Sequence, residues 1–482
     1  VEWLDATGSE LARQVLQRGT AAVYVIAFVS TLAQFPALLG ERGLLPVPDF
    51  LRTPYGRRQP TVFRLHYSDG MLRAMCVVGI LVALSLVAGL PQSGPPWLPL
   101  VAFLLLWGMY LSVVTVGQTF YSFGWESLLL EAGFVVAFLG SDEVAPPILV
   151  IVFLRWLVFR LEFGAGMIKL RGGREWRDLT ALMYHHETQP MPGPLSRYAH
   201  LLPPWVHRLE VIVNHVAQLA VPFLLFLPQP VATIAACCIL LTQLWLVVTG
   251  NFAWLNWLTI VLAFSAVGDA AVHAVLPAWP AEHSYPPTPL WFTILVLVVV
   301  AGLTALSFFP LRNLLSRHQR MNSSFNRFHL VNAYGAFGTV TKRRDEIELE
   351  ATLAEQPTED DWRPYVFKGK PGHPRRVPGW FAPYHLRLDW LMWFLALGAD
   401  DRWFRPLLRR LLEADRATLR LLRRAPFGAE RPRWVRARIA RYRFATPAER
   451  RETGMWWMRG ELRPYAGPVA LPDDARREGE RG

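Results

Sequence analysis

The residues whose types and spacing could do chemistry lie in two apolar stretches. In Phe153–Leu170 (FLRWLVFRLEFGAGMIKL), Arg155, Glu162 and Lys169 recur every seven residues, so one helix face carries all three. Arg160 points off that face, while Gly164 and Gly166 remove bulk beside it and leave room for a close helix or a bound group. His207, Glu210, Asn214 and Gln218 follow at intervals of three, four and four residues and share one side of a second helix. Glu126 and Glu131 flank the start of another apolar run. A charge facing lipid costs several kcal/mol, so such groups face a bundle interior or a polar cavity. Glu126, Glu131, Arg155, Arg160, Glu162, Lys169, His207, Glu210, Asn214 and Gln218 are therefore expected to form an intramembrane polar network. Its commoner use is to fix helix order. The sharper use is proton transfer, for which Lys169, Glu162, His207 and Glu210 are the candidate catalytic groups.

Other chemistries lack their signatures. His207 and Glu210 at helical spacing are no metal motif by themselves, and the loop residues His185, His186 and Glu187 complete no three-ligand zinc pattern, so no metal is expected. Neither G-x-G-x-x-G nor G-x-x-x-x-G-K-[ST] occurs, no G-x-S-x-G elbow occurs, and no cofactor is expected. Cys76, Cys237 and Cys238 form no C-x-x-C pair and read as buried thiols that pack as small hydrophobes. The arginines at 431–443 could meet phosphate, but no recognised module accompanies them, and nucleic acid is not an expected partner.

The elements that must position these groups are membrane helices. Of 482 residues, 52% are hydrophobic and 18% charged, and the long apolar runs stop near Pro310, which excludes a single soluble enzyme domain. Runs at 20–38, 74–90, 98–117, 126–140, 146–168, 209–227, 231–249, 253–268 and 290–309 predict a polytopic α-helical membrane bundle with eight or nine spans, six at minimum. The expected division is an amphipathic lead (1–19), the transmembrane domain (20–309) with polar loops at 39–72 and 169–206, a basic, aromatic-rich extramembrane α+β domain (310–466) and a polar flexible tail (467–482). No cleavable signal is expected. From Pro310 onward there are 34 Lys/Arg against 21 Asp/Glu, whereas the first 309 residues carry 16 against 17. That basic end could face lipid headgroups or an acidic client. Counting basic residues beside the nine runs puts it on the cytoplasmic side.

In the basic region, the period-two segment Thr339–Thr352 predicts a half-buried strand, and Pro364–Lys368, Ile439–Phe444 and Met455–Tyr465 predict others. Leu386–Leu397 and Phe404–Arg424 read as helices, the latter amphipathic.

The runs Phe120–Ala132 (FYSFGWESLLLEA), Leu154–Thr180, His185–Pro192 (HHETQPMP), Asn251–Thr259 (NFAWLNWLT), Asn322–Gly338 (NSSFNRFHLVNAYGAFG) and Pro383–Phe394 (PYHLRLDWLMWF) resemble the lipase maturation factor family. The resemblance extends from near Leu51 to about Tyr465. It implies a multi-pass membrane protein that helps secreted lipases fold, assemble and leave the cell, without hydrolysing lipid itself. In animal relatives it implies the endoplasmic reticulum. The arginine-, alanine- and proline-rich composition instead suggests a bacterial gene, hence a plasma or inner membrane. The family's carboxy-terminal region is tied to client recognition and maps to Ser316–Tyr465, where Tyr334, Phe337, Tyr384, His385, Arg387, Asp389, Trp390, Trp393, Trp456 and Trp457 match its pattern. Together with Arg436 and Arg438 from the basic stretch, these are the expected client-binding residues. Family orientation places this region outside the cytoplasm, against the charge count.

A more distant similarity to the horizontally transferred transmembrane superfamily, which includes the vitamin K-dependent gamma-carboxylase, raises an alternative. This is a membrane enzyme with a lipid or quinol-like substrate and a polar site within the bundle.

Overall fold

The computed structural model describes residues 4–472. The first helix, α1 (Glu10–Leu38), absorbs residues 10–19 of the expected lead into one continuous 29-residue rod. Its amino end is capped from far away, because the Asp269 carboxylate accepts the backbone N–H groups of Glu10 (2.7 Å) and Leu11 (3.0 Å). A carboxylate there satisfies donors that the first turn cannot pair and complements the helix dipole.

The helices that follow are α2 (Asp69–Ala88), α3 (Trp97–Val116), α4 (Gly124–Val136), α5 (Ile148–Arg171), α6 (Leu182–Thr188), α7 (Pro204–Leu219) and α8 (Val231–Thr249). The bent pair α9 (Leu255–Ala266) and α10 (Asp269–Val275) and then α11 (Leu290–Leu315) complete the apolar part. Five of the described helices are long and apolar enough to cross a membrane (α1, α2, α3, α8 and α11), or six if the pair bent by 96° is one span. That is fewer than the eight or nine spans expected, and the reasons are local. The 126–140 run yields only the 13-residue α4. The 209–227 run breaks where α7 ends at Leu219. α5 has 24 residues, but Arg155, Arg160, Glu162, Lys169 and Arg171 make it too polar to face lipid.

α1 and α3 are inner helices, 61% buried over their most apolar windows, while α2 and α8 at 28% and α11 at 17% are outer ones. Leu81, Leu241 and Val298 stand exposed on these outer helices, as lipid-facing residues do. Cys76 is buried, but Cys237 is exposed on α8, so the expectation of three buried thiols holds only in part.

Among the described residues, the carboxy-terminal region contains five strands: β1 (Arg344–Thr352), β2 (Arg363–Pro364), β3 (Trp434–Phe444), β4 (Trp457–Arg459) and β5 (Arg463–Val469). The longer helices of this region are α12 (Arg387–Ala396) and α13 (Phe404–Leu412). The sheet order is β2-β1-β3-β4, with β5 also paired to β3, and every described pairing is antiparallel. α13 stops at Leu412 rather than continuing to Arg424, because Ala414 takes a left-handed conformation at φ 48°.

β1 is not half-buried but buried along nearly all its length. Its alternating glutamates are taken up by basic partners instead of water. Glu346 pairs with Lys370 at 2.9 Å, Glu348 with Arg459 at 3.1 Å, and Glu350 with Arg436 at 2.8 Å and Arg438 at 2.9 Å. Part of the basic charge in this region is therefore spent inside the fold.

The sheet region and the helices share one hydrophobic core. Gln34 of α1 donates to the His385 carbonyl (2.6 Å) and accepts from the Arg387 backbone N–H (3.0 Å). Asn251 donates to the Gly379 carbonyl and accepts from the Phe381 N–H, both at 3.0 Å. The boundary expected at 310 falls inside α11, and the 322–338 segment folds back onto α4 and α5. Of the polar tail expected at 467–482, residues 473–482 lie outside the described residues, as do residues 1–3 of the lead.

Candidate functional site

A cavity of about 760 Å³ opens where α5, α7 and α8 meet α12 and the 321–339 segment. Most of its wall is apolar, built from side chains such as Leu161, Leu246, Phe337 and Trp393. Its size lies within the range of small-molecule pockets. Two polar groups break the wall.

The first joins Glu162 to Lys169 without direct contact. Gln218 donates to Glu162 Oε2 (3.1 Å) and accepts from Lys169 Nζ (2.8 Å). Gln243 donates to Glu162 Oε1 at 2.7 Å, and Asn214 accepts from Lys169 at 3.2 Å. The ammonium also sits 4.6 Å from the centre of the Trp176 ring, a cation–π contact. α7 comes near enough for this because Gly166 presents no side chain; a Cβ there would lie 2.7 Å from Leu219 and 3.0 Å from Gln218.

The second group is His186, His207 and Glu210. His207 Nδ1 lies 3.0 Å and His186 Nε2 lies 3.7 Å from Glu210 Oε2. The α7 stripe is thus divided, with His207 and Glu210 in one group and Asn214 and Gln218 in the other. His186 joins from α6, 21 positions before His207, so helix periodicity could not reveal it. Beside it, burial pulls the His185 imidazole down to about 3, and His186 and Lys169 add to the shift.

The remaining expected network members form separate clusters. Arg160 and Glu131 are a buried ion pair; Arg160 also donates to the Asn332 carbonyl (2.7 Å), and Tyr334 donates to Glu131 (2.7 Å). Glu126 pairs with Arg387 at 2.6 Å and accepts from the Tyr110 hydroxyl. Arg155 shares a helix face with Glu162 and Lys169 but bonds the Ser265 and Leu225 carbonyls at 2.9 and 3.2 Å, partners from other elements.

Most expected client-binding residues are interior. Tyr334, His385, Arg387, Asp389, Trp390, Trp456 and Trp457 are all buried. Burial pulls His385 down to about 4, with the Arg387 charge adding to the shift. Burial opposes the charge on Arg387, yet Glu126, Tyr121 and Tyr110 outweigh it and raise its pKa. Burial raises the Asp389 carboxyl against two backbone N–H donors, Gly369 (2.6 Å) and Lys370 (3.1 Å). Phe337 and Trp393 line the cavity, and Tyr384 reaches Gln34 at 3.3 Å. Arg436 and Arg438 are engaged by Glu350 and Glu359. Tyr334, Tyr384 and Arg387 tie the sheet region to the helices, whereas Asp389, Arg436 and Arg438 are partnered within the sheet region.

Comparison with known proteins covers both regions. Residues 11–274 match the lipase maturation factor transmembrane domain, and residues 330–467 match the lipase maturation factor C-terminal domain. Lipase maturation factor 1 of Bos taurus is 38% identical over 96% of this chain and 90% of its own length. The Homo sapiens protein of that name is 37% identical, with 96% and 88% covered. Lipase maturation factor 2 of Gallus gallus is 28% identical, with 96% and 82% covered. No solved structure matches. With its membrane-length helices and with both family domains present in order, the chain is a multi-pass membrane protein that belongs to the lipase maturation factor family.

Proposed function

We propose that this protein is a membrane maturation factor for secreted or envelope proteins, lipases first among them, and that it meets its client through the carboxy-terminal region. The observation that carries this reading is the similarity to relatives named lipase maturation factor 1 across 96% of the chain. The proposed setting is a bacterial plasma or inner membrane, with the sheet region outside the bilayer. Because the contact residues expected from sequence are largely interior, the proposed contact surface is the neighbouring loop, where Val377 and Trp380 are 47% and 59% exposed. Tyr198, half exposed, offers a further aromatic contact. Exposed aromatics beside arginines suit recognition of a partly folded chain.

The test is co-expression with a secreted lipase. Active lipase released should fall several-fold when this protein is deleted, with lipase transcript unchanged. Trp380→Ala combined with Val377→Ser should reproduce much of that loss at normal membrane abundance. Unchanged release on deletion would refute the maturation role, and normal release by the double variant would refute this loop as the contact.

The cavity favours a second reading, a membrane enzyme acting on a lipid or quinol-like molecule, with Lys169 or Glu162 handling a proton. Gln218 bridges these groups beside an apolar wall, an arrangement that suits a long apolar ligand with a polar head. Lys169→Met should then abolish turnover of a lipid extract while the protein remains folded. An unaltered extract after incubation with the unmutated protein would exclude it.

A further inference from the structure

We propose that His186, His207 and Glu210 bind a divalent transition-metal ion of the zinc class at the cavity wall. Each residue offers one ligand atom, and the three atoms lie within 4.8 Å of one another. Zinc bonded to nitrogen and oxygen at about 2.0–2.1 Å in tetrahedral geometry separates its ligands by about 3.3 Å. The observed spacings to Glu210 Oε2, 3.0 Å from His207 and 3.7 Å from His186, bracket that value.

Proton arithmetic points the same way. His207 Nε2 lies 3.2 Å from the His200 carbonyl, to which it can only donate. In neutral His207 that leaves Nδ1 as a lone pair aimed at a carboxylate oxygen, an arrangement that repels unless a cation lies between them. The backbone carbonyl on the far nitrogen is the usual orienting partner of a metal-bound imidazole. His186 is 2% exposed, yet neither ring nitrogen has a hydrogen-bond partner, and Glu210 Oε1 lacks one too. Unpaired buried polar atoms are costly, and metal ligation would employ them.

Charge completes the case. Among the described residues, the ion-pair partners of Glu210 are these two histidines alone. Two neutral imidazoles and one carboxylate form a net negative set, and their nitrogen-rich character favours zinc over magnesium or calcium. His186 and Glu210 border the cavity, so a fourth coordination position would open onto the space where an apolar ligand would lie. Protonation of the histidines is the competing way to satisfy the cluster.

Full-length protein in detergent, stripped with a chelator and dialysed against zinc chloride, should retain about one zinc per chain by mass spectrometry. Glu210→Gln and His186→Ala should each weaken zinc at least about 100-fold. Arg208→Ala, exposed on α7 and outside the donor set, should retain it. Cobalt(II) in the unmutated protein should give visible bands of a four- or five-coordinate site, and its X-ray absorption should show imidazole scattering. That measurement does not depend on any variant folding. Zinc below about one-tenth per chain without cobalt bands overturns the proposal and leaves protonated histidines as the account. Undiminished zinc binding by Glu210→Gln, or cobalt without imidazole scattering, overturns it as well.

Discussion

Arg387 Nη1 lies 2.6 Å from Glu126 Oε1, with both side chains fully shielded from solvent and 261 positions apart in sequence. The pair joins α12 of the sheet region to α4 of the helical region. Breaking one partner of such a pair strands the other charge, at a cost of about 3–5 kcal/mol. Arg387→Met or Glu126→Gln should therefore lower the thermal midpoint markedly in detergent. The double change Glu126→Gln with Arg387→Met should cost less than the two singles combined. Single variants within about 1 kcal/mol of the parent would show that the pair contributes little.

Gln218 is predicted to matter more than a neutral amide usually does. Gln218→Leu removes one donor from Glu162 and one acceptor from Lys169, both inside the fold. Hydrogen bonds to charged groups contribute about 1.5–3 kcal/mol each, so losing both should cost about 3–6 kcal/mol in chemical unfolding. A parent-like unfolding midpoint would mean that water replaces the amide.

Acid should loosen the molecule before carboxylates titrate. Burial holds His385 and His329 down to about 4 in the folded chain, against an ordinary value near 6.5. His385 faces Arg387, Glu126 at 3.6 Å and the Trp125 indole at 3.4 Å, whereas His329 faces Ser127 at 3.0 Å. Between those values the unfolded chain binds more protons, so stability is complete above about pH 6.5 and falls as pH drops towards 4. The loss is on the order of 3 kcal/mol per fully titrated histidine. His385→Gln should flatten the pH profile of the unfolding midpoint; an unchanged slope would assign the acid sensitivity elsewhere.

Two helical glycines should respond oppositely to one added methyl. At Gly164 a Cβ would fall 2.4 Å from the Tyr334 carbonyl, so Gly164→Ala must push the 322–338 segment off α5. A cost of about 1–3 kcal/mol is expected. Gly108 in α3 has nothing within 4 Å, and Gly108→Ala should raise stability by about 0.5–1 kcal/mol through helix propensity. Equal effects at both sites in thermal unfolding would count against the close backbone approach.

How much was legible in the chain depends on how local the cause was. α2, α3 and α8 follow from uninterrupted apolar runs, and β1 from its alternation. The Glu162–Lys169 group was readable as two polar stripes, though Gln218 as its bridge required the two helices to be docked. The His186 contribution was not readable, because a segment containing Pro190, Pro192 and Gly193 carries the chain from α6 to α7 and no periodicity survives it. Nor was the interior position of Arg387 readable, since an arginine in a basic region reads as solvated until its partner across the fold is known. Five or six membrane-length helices among the described residues reach the expected minimum of six only if the bent pair is one span, because some apolar runs build short helices buried against protein, as α4 does.

The Asp269 carboxylate that completes the first turn of α1 belongs to a residue made 259 positions after Glu10. During synthesis the amino end of α1 therefore lacks this cap until a further 259 residues have been made. A chain truncated before residue 269 would keep an open first turn in α1 however well its other helices had inserted.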